Sequence, residues 1–206
     1  MGVNDSITAI ALLCWTALLA YVLYSWGATA KYDHNMLNFV LAAELICASE
    51  VLRIAVGNLR GDLALAFTVH YTRLLMLFTT MPHSVVSAFL QKMIVLAWAA
   101  TEVTRYPMVL FPDSKTLRLL RYATPLVTFP LGAGGEAFAA YLVHNETPNH
   151  YLYGGADASL SQMVLSFAFV LVVIINVVGG TIWYPSMCMK VVKVLKGDKS
   201  KEKKTK

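Results

Sequence analysis

The chain has 206 residues, of which 57% are hydrophobic and 14% are charged, and its mean hydropathy is +0.58. A soluble globular domain has roughly 45–50% apolar and about 25% charged residues. So few charges cannot cover the surface of a soluble domain of this size, which argues against a cytosolic enzyme or a nucleic-acid-binding module. The composition predicts an all-α, polytopic membrane protein.

The formal net charge of +5 comes from the C-terminal tail. Residues 190–206 contain eight Lys and two acidic residues, which gives +6, so the rest of the chain sums to 9 − 10 = −1. Charge concentrated in this way does not indicate a basic face for nucleic acid, and we expect no nucleic-acid partner. We predict a transmembrane domain over residues 1–189 and a Lys-rich cytosolic tail over residues 190–206.

Apolar runs of about 20 residues are long enough to cross roughly 30 Å of hydrocarbon. We predict six such helices, and the lipid bilayer is therefore an expected partner. In chain order they cover residues 7–26, 36–56, 62–80, 84–104, 122–143 and 160–183. The second and third are the weakest predictions, because they contain Glu44, Glu50, His70 and Arg73. Insertion of an ionisable side chain at a helix centre costs on the order of 3 kcal/mol, so these residues should face other helices or a wet cavity.

Basic residues near the helix ends indicate the orientation, because short cytoplasmic loops carry an excess of Lys and Arg. The Lys-rich tail is therefore expected in the cytosol. Six spans place Arg60 and the basic residues Lys115, Arg118 and Arg121 on the same side, and both termini are then cytosolic. The apolar stretch near the N terminus is interpreted as a retained first helix, because no Lys or Arg precedes it.

The end of the tail suggests where the protein resides. Lys203 and Lys204 lie four and three residues from the end, as in the di-lysine retrieval signal of endoplasmic reticulum membrane proteins. The alternative is a polybasic segment attracted to anionic lipid headgroups. A sequon at Asn145 falls in a loop assigned to the lumen, whereas the sequon at Asn4 falls on the cytosolic side.

Candidate catalytic groups are acids and bases in the predicted helices, since the sequence has no nucleophile elbow, phosphate-binding loop or metal-ligand spacing. We therefore expect no cofactor or metal. Ionisable residues three apart can share a helix face. They are Glu50 with Arg53, His70 with Arg73, and Glu102 with Arg105. Mutual neutralisation and a functional role are both open for each pair.

Glu136 differs from these pairs, because no Lys or Arg lies within two helical turns of it on its own helix. Its carboxylate must find a partner on another helix or carry a proton. Pro130 and three glycines precede it, and irregular backbone at membrane depth is tolerated only against protein or a water-filled cavity. Close helix packing is the alternative explanation of the glycines, but a lone acid beside these small residues favours a cavity. Tyr122, Phe129 and Glu136 are seven apart and form one stripe of this helix.

Three blocks of the sequence resemble a known family. They are Trp98-Ala-Ala-Thr-Glu-Val-Thr-Arg-Tyr106, Leu119-Leu-Arg-Tyr122 and Phe129-Pro-Leu-Gly-Ala-Gly-Gly-Glu136. They are similar to the W-x-x-T-E-x-x-R-Y, L-R-Y-T and Y-P-x-G-x-x-x-E blocks of the very-long-chain 3-hydroxyacyl-CoA dehydratases, also called protein tyrosine phosphatase-like proteins. The resemblance implies six spans, cytosolic termini and residence in the endoplasmic reticulum membrane.

The resemblance also implies a reaction, the dehydration of very-long-chain 3-hydroxyacyl-CoA to trans-2-enoyl-CoA in the third step of fatty acid elongation. The implied partners are the elongase, ketoacyl-CoA reductase and enoyl-CoA reductase of the same cycle. In the family a Tyr and a Glu seven residues apart transfer the protons. The Glu corresponds to Glu136, but the Tyr position holds Phe129, which has no hydroxyl.

The resemblance thus implies Glu136 as a catalytic residue, and we expect Tyr106 on the neighbouring span to assist it in place of the missing Tyr. The implied substrate-binding residues are Arg73, Arg105, Arg121, Tyr122 and Phe129, with the cationic residues near the CoA phosphates. Positive-inside topology explains the cationic residues equally well. Because Phe129 lacks a hydroxyl, the alternative function is a non-catalytic subunit that organises elongation enzymes. A small transporter ranks last, since only one predicted helix is broken.

Overall fold

A computed structural model describes residues 3–26, 34–59, 61–146 and 160–202, and these residues form an all-helical chain without strands. The helices are α1 (Val3–Ser25), α2 (His34–Ala55), α3 (Leu63–Leu75), α4 (Ala88–Leu110), α5 (Lys115–Glu146), α6 (Leu160–Val178) and α7 (Tyr184–Glu202). A π-helical turn at Met76–Thr80 extends α3, and another at Gly179–Trp183 joins α6 to α7. The all-α prediction is confirmed, and each of the six predicted helices corresponds to a helical segment.

Four helical segments of the described chain are long and apolar enough to cross a membrane. They are Asn4–Ser25, Leu63–Thr80, Lys115–Glu146 and Phe169–Lys196. The third predicted span, which looked weak, is among them. The protein is therefore a multi-pass membrane protein.

The other two predicted spans, α2 and α4, fall outside this set. Each carries three charged side chains: Glu44, Glu50 and Arg53 in α2, and Lys92, Glu102 and Arg105 in α4. All but Arg105 are less than 9% exposed, so these charges face the protein interior. Six membrane crossings with both termini in the cytosol stay a prediction.

Short polar signals begin and end several helices. The side chain of Asp62 accepts the N–H of Leu65 at the start of α3, and that of Ser87 accepts the N–H of Leu90 at the start of α4. Such caps satisfy N–H groups that have no partner within the helix. Gly57 follows α2 with φ of +77°, a left-handed conformation that glycine adopts without strain.

The centre of the bundle is α4, which packs most extensively against α5 and α1. Trp15 and Leu18 of α1 and Ile94 and Val95 of α4 are fully buried there. Large apolar residues on the outer faces, such as Leu13, are exposed, as expected of helix surfaces that meet lipid.

Glycines of α5 allow it to approach α4 closely. A Cβ atom added at Gly135 would lie 2.9 Å from Cγ1 of Ile94, and one at Gly132 would lie 3.4 Å from Cβ of Ala97. Gly134, by contrast, has nothing within 4 Å of such an atom. Of the two alternatives for these small residues, close helix packing describes Gly132 and Gly135.

We predict that Gly135→Ala destabilises the protein by about 1–3 kcal/mol, because the added methyl overlaps the Ile94 side chain at a packed interface. Gly134→Ala is the matched control and should change the free energy of unfolding by no more than about 1 kcal/mol. Thermal unfolding of both variants in detergent tests this. Equal midpoints would contradict the assigned packing of α5 on α4.

Several predicted features lie outside the described residues, namely Arg60, most of the loop after Asn145, and the di-lysine pair Lys203 and Lys204. The predicted boundary between residues 189 and 190 lies within α7, which continues to Glu202. The boundary is thus not a break in secondary structure.

Glycan attachment tests the predicted topology. We expect modification of Asn145 and none of Asn4 in microsomes, because only Asn145 faces the lumen in a six-span arrangement. Asn145→Gln and Asn4→Gln serve as controls for the assignment of the mobility shift. A glycan on Asn4 would refute cytosolic placement of the N terminus.

Candidate active site

Arg73 lies at the centre of the bundle between two carboxylates and two indole rings. Its Nη1 donates to Oε1 of Glu102 at 2.7 Å and to Oε2 of Glu44 at 3.3 Å. Its guanidinium carbon lies 5.6 Å from the ring centroid of Trp15 and 5.5 Å from that of Trp98. A buried cation is therefore surrounded by opposite charge and aromatic faces, which compensate its loss of hydration.

Arg105 extends this arrangement along α4. Its Nε donates to Oε2 of Glu102 at 2.7 Å, and its Nη1 donates to Oε1 of Glu50 at 2.7 Å. Its Nη2 donates to the hydroxyl of Tyr106 at 2.8 Å, and that hydroxyl donates to Sγ of Cys47 at 2.9 Å. All three nitrogens of the guanidinium are thus occupied inside the protein.

His70 completes the ring of charges. Its Nδ1 forms a short hydrogen bond with Oε1 of Glu44, and its Nε2 lies 3.9 Å from Oε2 of Glu50. We refer to Glu44, Glu50, His70, Arg73, Glu102 and Arg105 as the ionic cluster. Its three carboxylates and two guanidinium groups sum to −1, and a proton on His70 brings the sum to zero.

The pairing differs from the sequence-based expectation. Of the three pairs spaced by three residues, only Glu102 and Arg105 form a direct ion pair. Glu50 instead pairs with Arg105 of α4. Arg53 donates from Nη1 to the backbone oxygen of Asn4 at 3.2 Å. Neutralisation therefore occurs mostly between helices, because the helices are rotated so that their charged faces meet.

Glu136 has its hydrogen-bond partners on other helices, which is one of the two alternatives that its isolation in the sequence left open. Nε1 of Trp98 in α4 donates to Oε1 at 2.7 Å, and Nδ2 of Asn176 in α6 donates to Oε2 at 3.1 Å. The carboxylate is only 7% exposed. Both oxygens accept hydrogen bonds from N–H groups, which are donors only. This arrangement suits an ionised carboxylate acting as a base.

Trp98 connects Glu136 to the ionic cluster. The face of its indole ring lies against Arg73, while its N–H points to Glu136. The side chain is 3% exposed, so both contacts are inside the bundle. The position of the candidate base thus depends on the position of the buried cation.

Phe129, two turns before Glu136 on α5, contacts the segment that joins α6 and α7. Its ring stacks on that of Tyr184 with centroids 5.7 Å apart and planes 21° apart. The tip of the ring lies so close to Gly179 that a Cβ atom there would be 2.7 Å from Cζ of Phe129. The Tyr184 hydroxyl donates to the backbone oxygen of Leu126 at 3.0 Å.

The remaining predicted residues occupy different positions. Tyr106 is 2% exposed, and its hydroxyl lies between Arg105 and Cys47, eight residues along α4 from Trp98. Arg121 is half-buried on α5, within electrostatic range of Arg105 and Glu102. Tyr122 is half-buried next to it. The catalytic and substrate-binding roles of all seven predicted residues stay predictions.

Sequence reasoning did not identify Trp98, Asn176 or Tyr184 as site residues. Trp98 begins the first of the three blocks that resemble the family, but its uncharged side chain gives no signal of a site. Asn176 has a usable signal, because it is a lone amide within an apolar run. A polar side chain in such a run needs a partner inside the protein. Tyr184 follows the last predicted span and resembles an interfacial aromatic residue.

The sequence of the chain matches one protein-family model. A family model described as protein tyrosine phosphatase-like protein, PTPLA, matches residues 44–197. The chain belongs to this family. The PTPLA family is that of the very-long-chain 3-hydroxyacyl-CoA dehydratases. Searches of curated proteins and of solved structures gave no match. Every member of the ionic cluster and Glu136 fall within the range of the PTPLA match.

Arg73→Met tests the role of the ionic cluster in this PTPLA protein. The substitution leaves Glu44 and Glu102 buried with less compensation, and we expect a loss of about 3–5 kcal/mol in the free energy of unfolding. The matched control is Arg118→Met, because Arg118 is exposed, and its effect should stay within about 0.5 kcal/mol. Denaturant titration in detergent measures both. Similar stabilities would mean that the cluster does not hold the helices together.

Proposed function

We propose that the protein dehydrates very-long-chain 3-hydroxyacyl-CoA to trans-2-enoyl-CoA, the third step of fatty acid elongation. Membership of the PTPLA family supports this reaction class. The observation that carries the proposal is Glu136, a buried carboxylate whose two oxygens accept hydrogen bonds from Trp98 and Asn176. An oriented base inside a membrane bundle suits a substrate with a long apolar chain.

The chemistry begins at the carbon next to the thioester. Glu136 takes a proton from C2, the electrons of that C–H bond form the C2=C3 double bond, and the C3–O bond breaks. The departing hydroxyl takes up one proton and leaves as water, so the reaction needs no cofactor. The fixed donors on Glu136 keep its lone pairs oriented, and general base catalysis contributes roughly 10²–10⁴-fold to rates of this kind.

The two ends of the substrate fit different parts of α5. The acyl chain is apolar and belongs with the membrane-facing helices. The CoA phosphates belong at the basic start of α5, where Lys115 and Arg118 are exposed and Arg121 is half-buried. Arg73 and Arg105 form ion pairs with carboxylates, so we propose that they act on substrate through the shape and charge of the bundle.

Residence in the endoplasmic reticulum and assembly with the elongase, ketoacyl-CoA reductase and enoyl-CoA reductase are part of the same proposal. The 3-hydroxyacyl-CoA substrate is the product of the ketoacyl-CoA reductase. The trans-2-enoyl-CoA product is the substrate of the enoyl-CoA reductase. The Lys-rich tail and the apolar helices are consistent with a membrane location of this kind.

One observation favours a second function. Phe129 has no hydroxyl at the position where the family has a Tyr, so the chain lacks one of the two proton-transfer groups that the family uses. A non-catalytic subunit that organises the other elongation enzymes would tolerate this loss. Turnover by the isolated protein separates the two functions.

We predict that Glu136→Gln lowers dehydration of a long-chain 3-hydroxyacyl-CoA by roughly 10²–10⁴-fold in purified protein, because an amide cannot accept the C2 proton. The matched control is Glu146→Gln, since Glu146 is an exposed carboxylate at the end of the same helix. That control should keep wild-type activity. Formation of the conjugated thioester, followed by absorbance, gives the rate.

The decisive comparison is wild type with Glu136→Gln. If wild-type protein is no faster than Glu136→Gln, the dehydratase function is wrong and the organising subunit is favoured. If Glu136→Gln and Glu146→Gln lose the same activity, the assignment of Glu136 as the base is wrong.

A further inference from the structure

The helical segment from α6 through the π turn to α7 runs antiparallel to α5 and contacts it at successive levels. Asn176 donates to Glu136, Gly179 lies against the tip of Phe129, and Tyr184 stacks on the face of Phe129. Phe129 and Glu136, two of the three residues of the stripe, are therefore both contacted by one neighbouring segment. π-helical turns are frequent at functional sites.

The Tyr184 hydroxyl has a position fixed by the backbone of α5. In an α-helix the carbonyl of residue i accepts the N–H of residue i+4, and residue 130, four after Leu126, is a proline without an N–H. The hydroxyl of Tyr184 takes this place and donates to the Leu126 oxygen at 3.0 Å. Because that carbonyl points towards residue 130, the hydroxyl lies at the level of Phe129 on α5.

A second proton-transfer group would protonate the departing hydroxyl while Glu136 removes the C2 proton. Both oxygens of Glu136 accept hydrogen bonds from neutral donors, which holds the ionised carboxylate in place as the base. The Tyr106 hydroxyl is 2% exposed and is held between Arg105 and Cys47. Tyr184 is half-buried, and its hydroxyl is held by one backbone carbonyl. It is thus the more accessible phenol of the two.

We propose that Tyr184 supplies the proton that the departing hydroxyl group requires, an inference that rests on the proposed dehydratase function. Glu136 takes the C2 proton, the double bond forms, and the C3–O bond breaks as the Tyr184 O–H transfers its proton to the leaving oxygen. Water leaves with the product, Glu136 gives up its proton to solvent, and the Tyr184 phenolate takes a proton from solvent. Both groups return to their starting state, so no other reactant is consumed.

The spacing along α5 fits this division of roles. Phe129 and Glu136 are seven residues apart, which is roughly 10 Å along the axis at 1.5 Å per residue. Side chains of a helix point towards its N terminus, so the carboxylate of Glu136 reaches back towards the level of Phe129. C2 and C3 of the substrate are placed between the two groups.

The first test removes the hydroxyl and keeps the stacked ring. Tyr184→Phe should lower kcat by roughly 10²–10⁴-fold with KM changed by no more than about threefold. Tyr141→Phe is the matched control, because Tyr141 is an exposed phenol on α5, and it should leave activity unchanged. Wild type and Glu136→Gln are measured beside them in purified full-length protein.

Two further measurements separate proton donation from a structural role of the hydroxyl. Chloride leaves without a proton, so elimination from a 3-chloroacyl-CoA of the same length should fall by no more than about threefold in Tyr184→Phe, whereas Glu136→Gln should lose it. Adding Phe129→Tyr to Tyr184→Phe returns a hydroxyl to the same stacked pair. This double variant should regain about tenfold or more in kcat over Tyr184→Phe on the hydroxy substrate.

The possible results have distinct meanings. If Tyr184→Phe keeps wild-type kcat while Glu136→Gln is inactive, the role of Tyr184 is wrong and the dehydratase function stands. If Tyr184→Phe loses activity equally on both substrates and Phe129→Tyr restores nothing, the hydroxyl only supports the fold, and the inference is overturned. If wild type is no faster than Glu136→Gln, both the function and the inference fail.

Discussion

The ion pairs of Arg73 with Glu44 and Glu102 are the contacts on which the rest of this bundle depends. Lipid is as apolar as the side chains that face it, so apolar surface alone does not fix how membrane helices are rotated or paired. Removing one partner of a buried ion pair is costly, by about 3–5 kcal/mol, because the remaining charge has no water to hydrate it. The ionic cluster therefore sets the rotation of α2, α3 and α4 about their axes.

The candidate base takes its orientation from this same cation. Trp98 has one face against Arg73 and its N–H on Glu136, so the indole cannot turn without losing a contact on one side. Asn176 holds the second carboxylate oxygen from α6. A carboxylate fixed between two donors loses little orientation entropy when it meets a substrate proton, which is the benefit of a preorganised site.

Run length and polarity predicted six helical segments of the described chain, but not the continuation of the last one through α7 to Glu202. The isolation of Glu136 among uncharged residues of its own helix predicted either a partner on another helix or a bound proton, and its hydrogen-bond partners lie on α4 and α6. Pairing within the ionic cluster was not predictable. A spacing of three residues shows only that two side chains lie on the same face of one helix, and not which other helix that face meets. Glu50 pairs with Arg105 because of how α2 and α4 are rotated in the bundle, and that rotation is a tertiary property. Asn176 and Tyr184 were missed because uncharged polar side chains give a weak signal in the sequence.

The cost of keeping Glu136 in the bundle bears on the choice between an enzyme and an organising subunit. Two neutral donors compensate its charge, and within the described part of the chain no cation forms an ion pair with it. Gly132 and Gly135 already allow α5 to pack closely on α4, because they have no side chain that would hold the two helices apart. A structural role for this carboxylate is to join α5 to α4 and α6 through Trp98 and Asn176. Under the proposed function the same two donors hold the base that removes the proton next to the thioester, so the dehydratase would account for both the carboxylate and its fixed orientation.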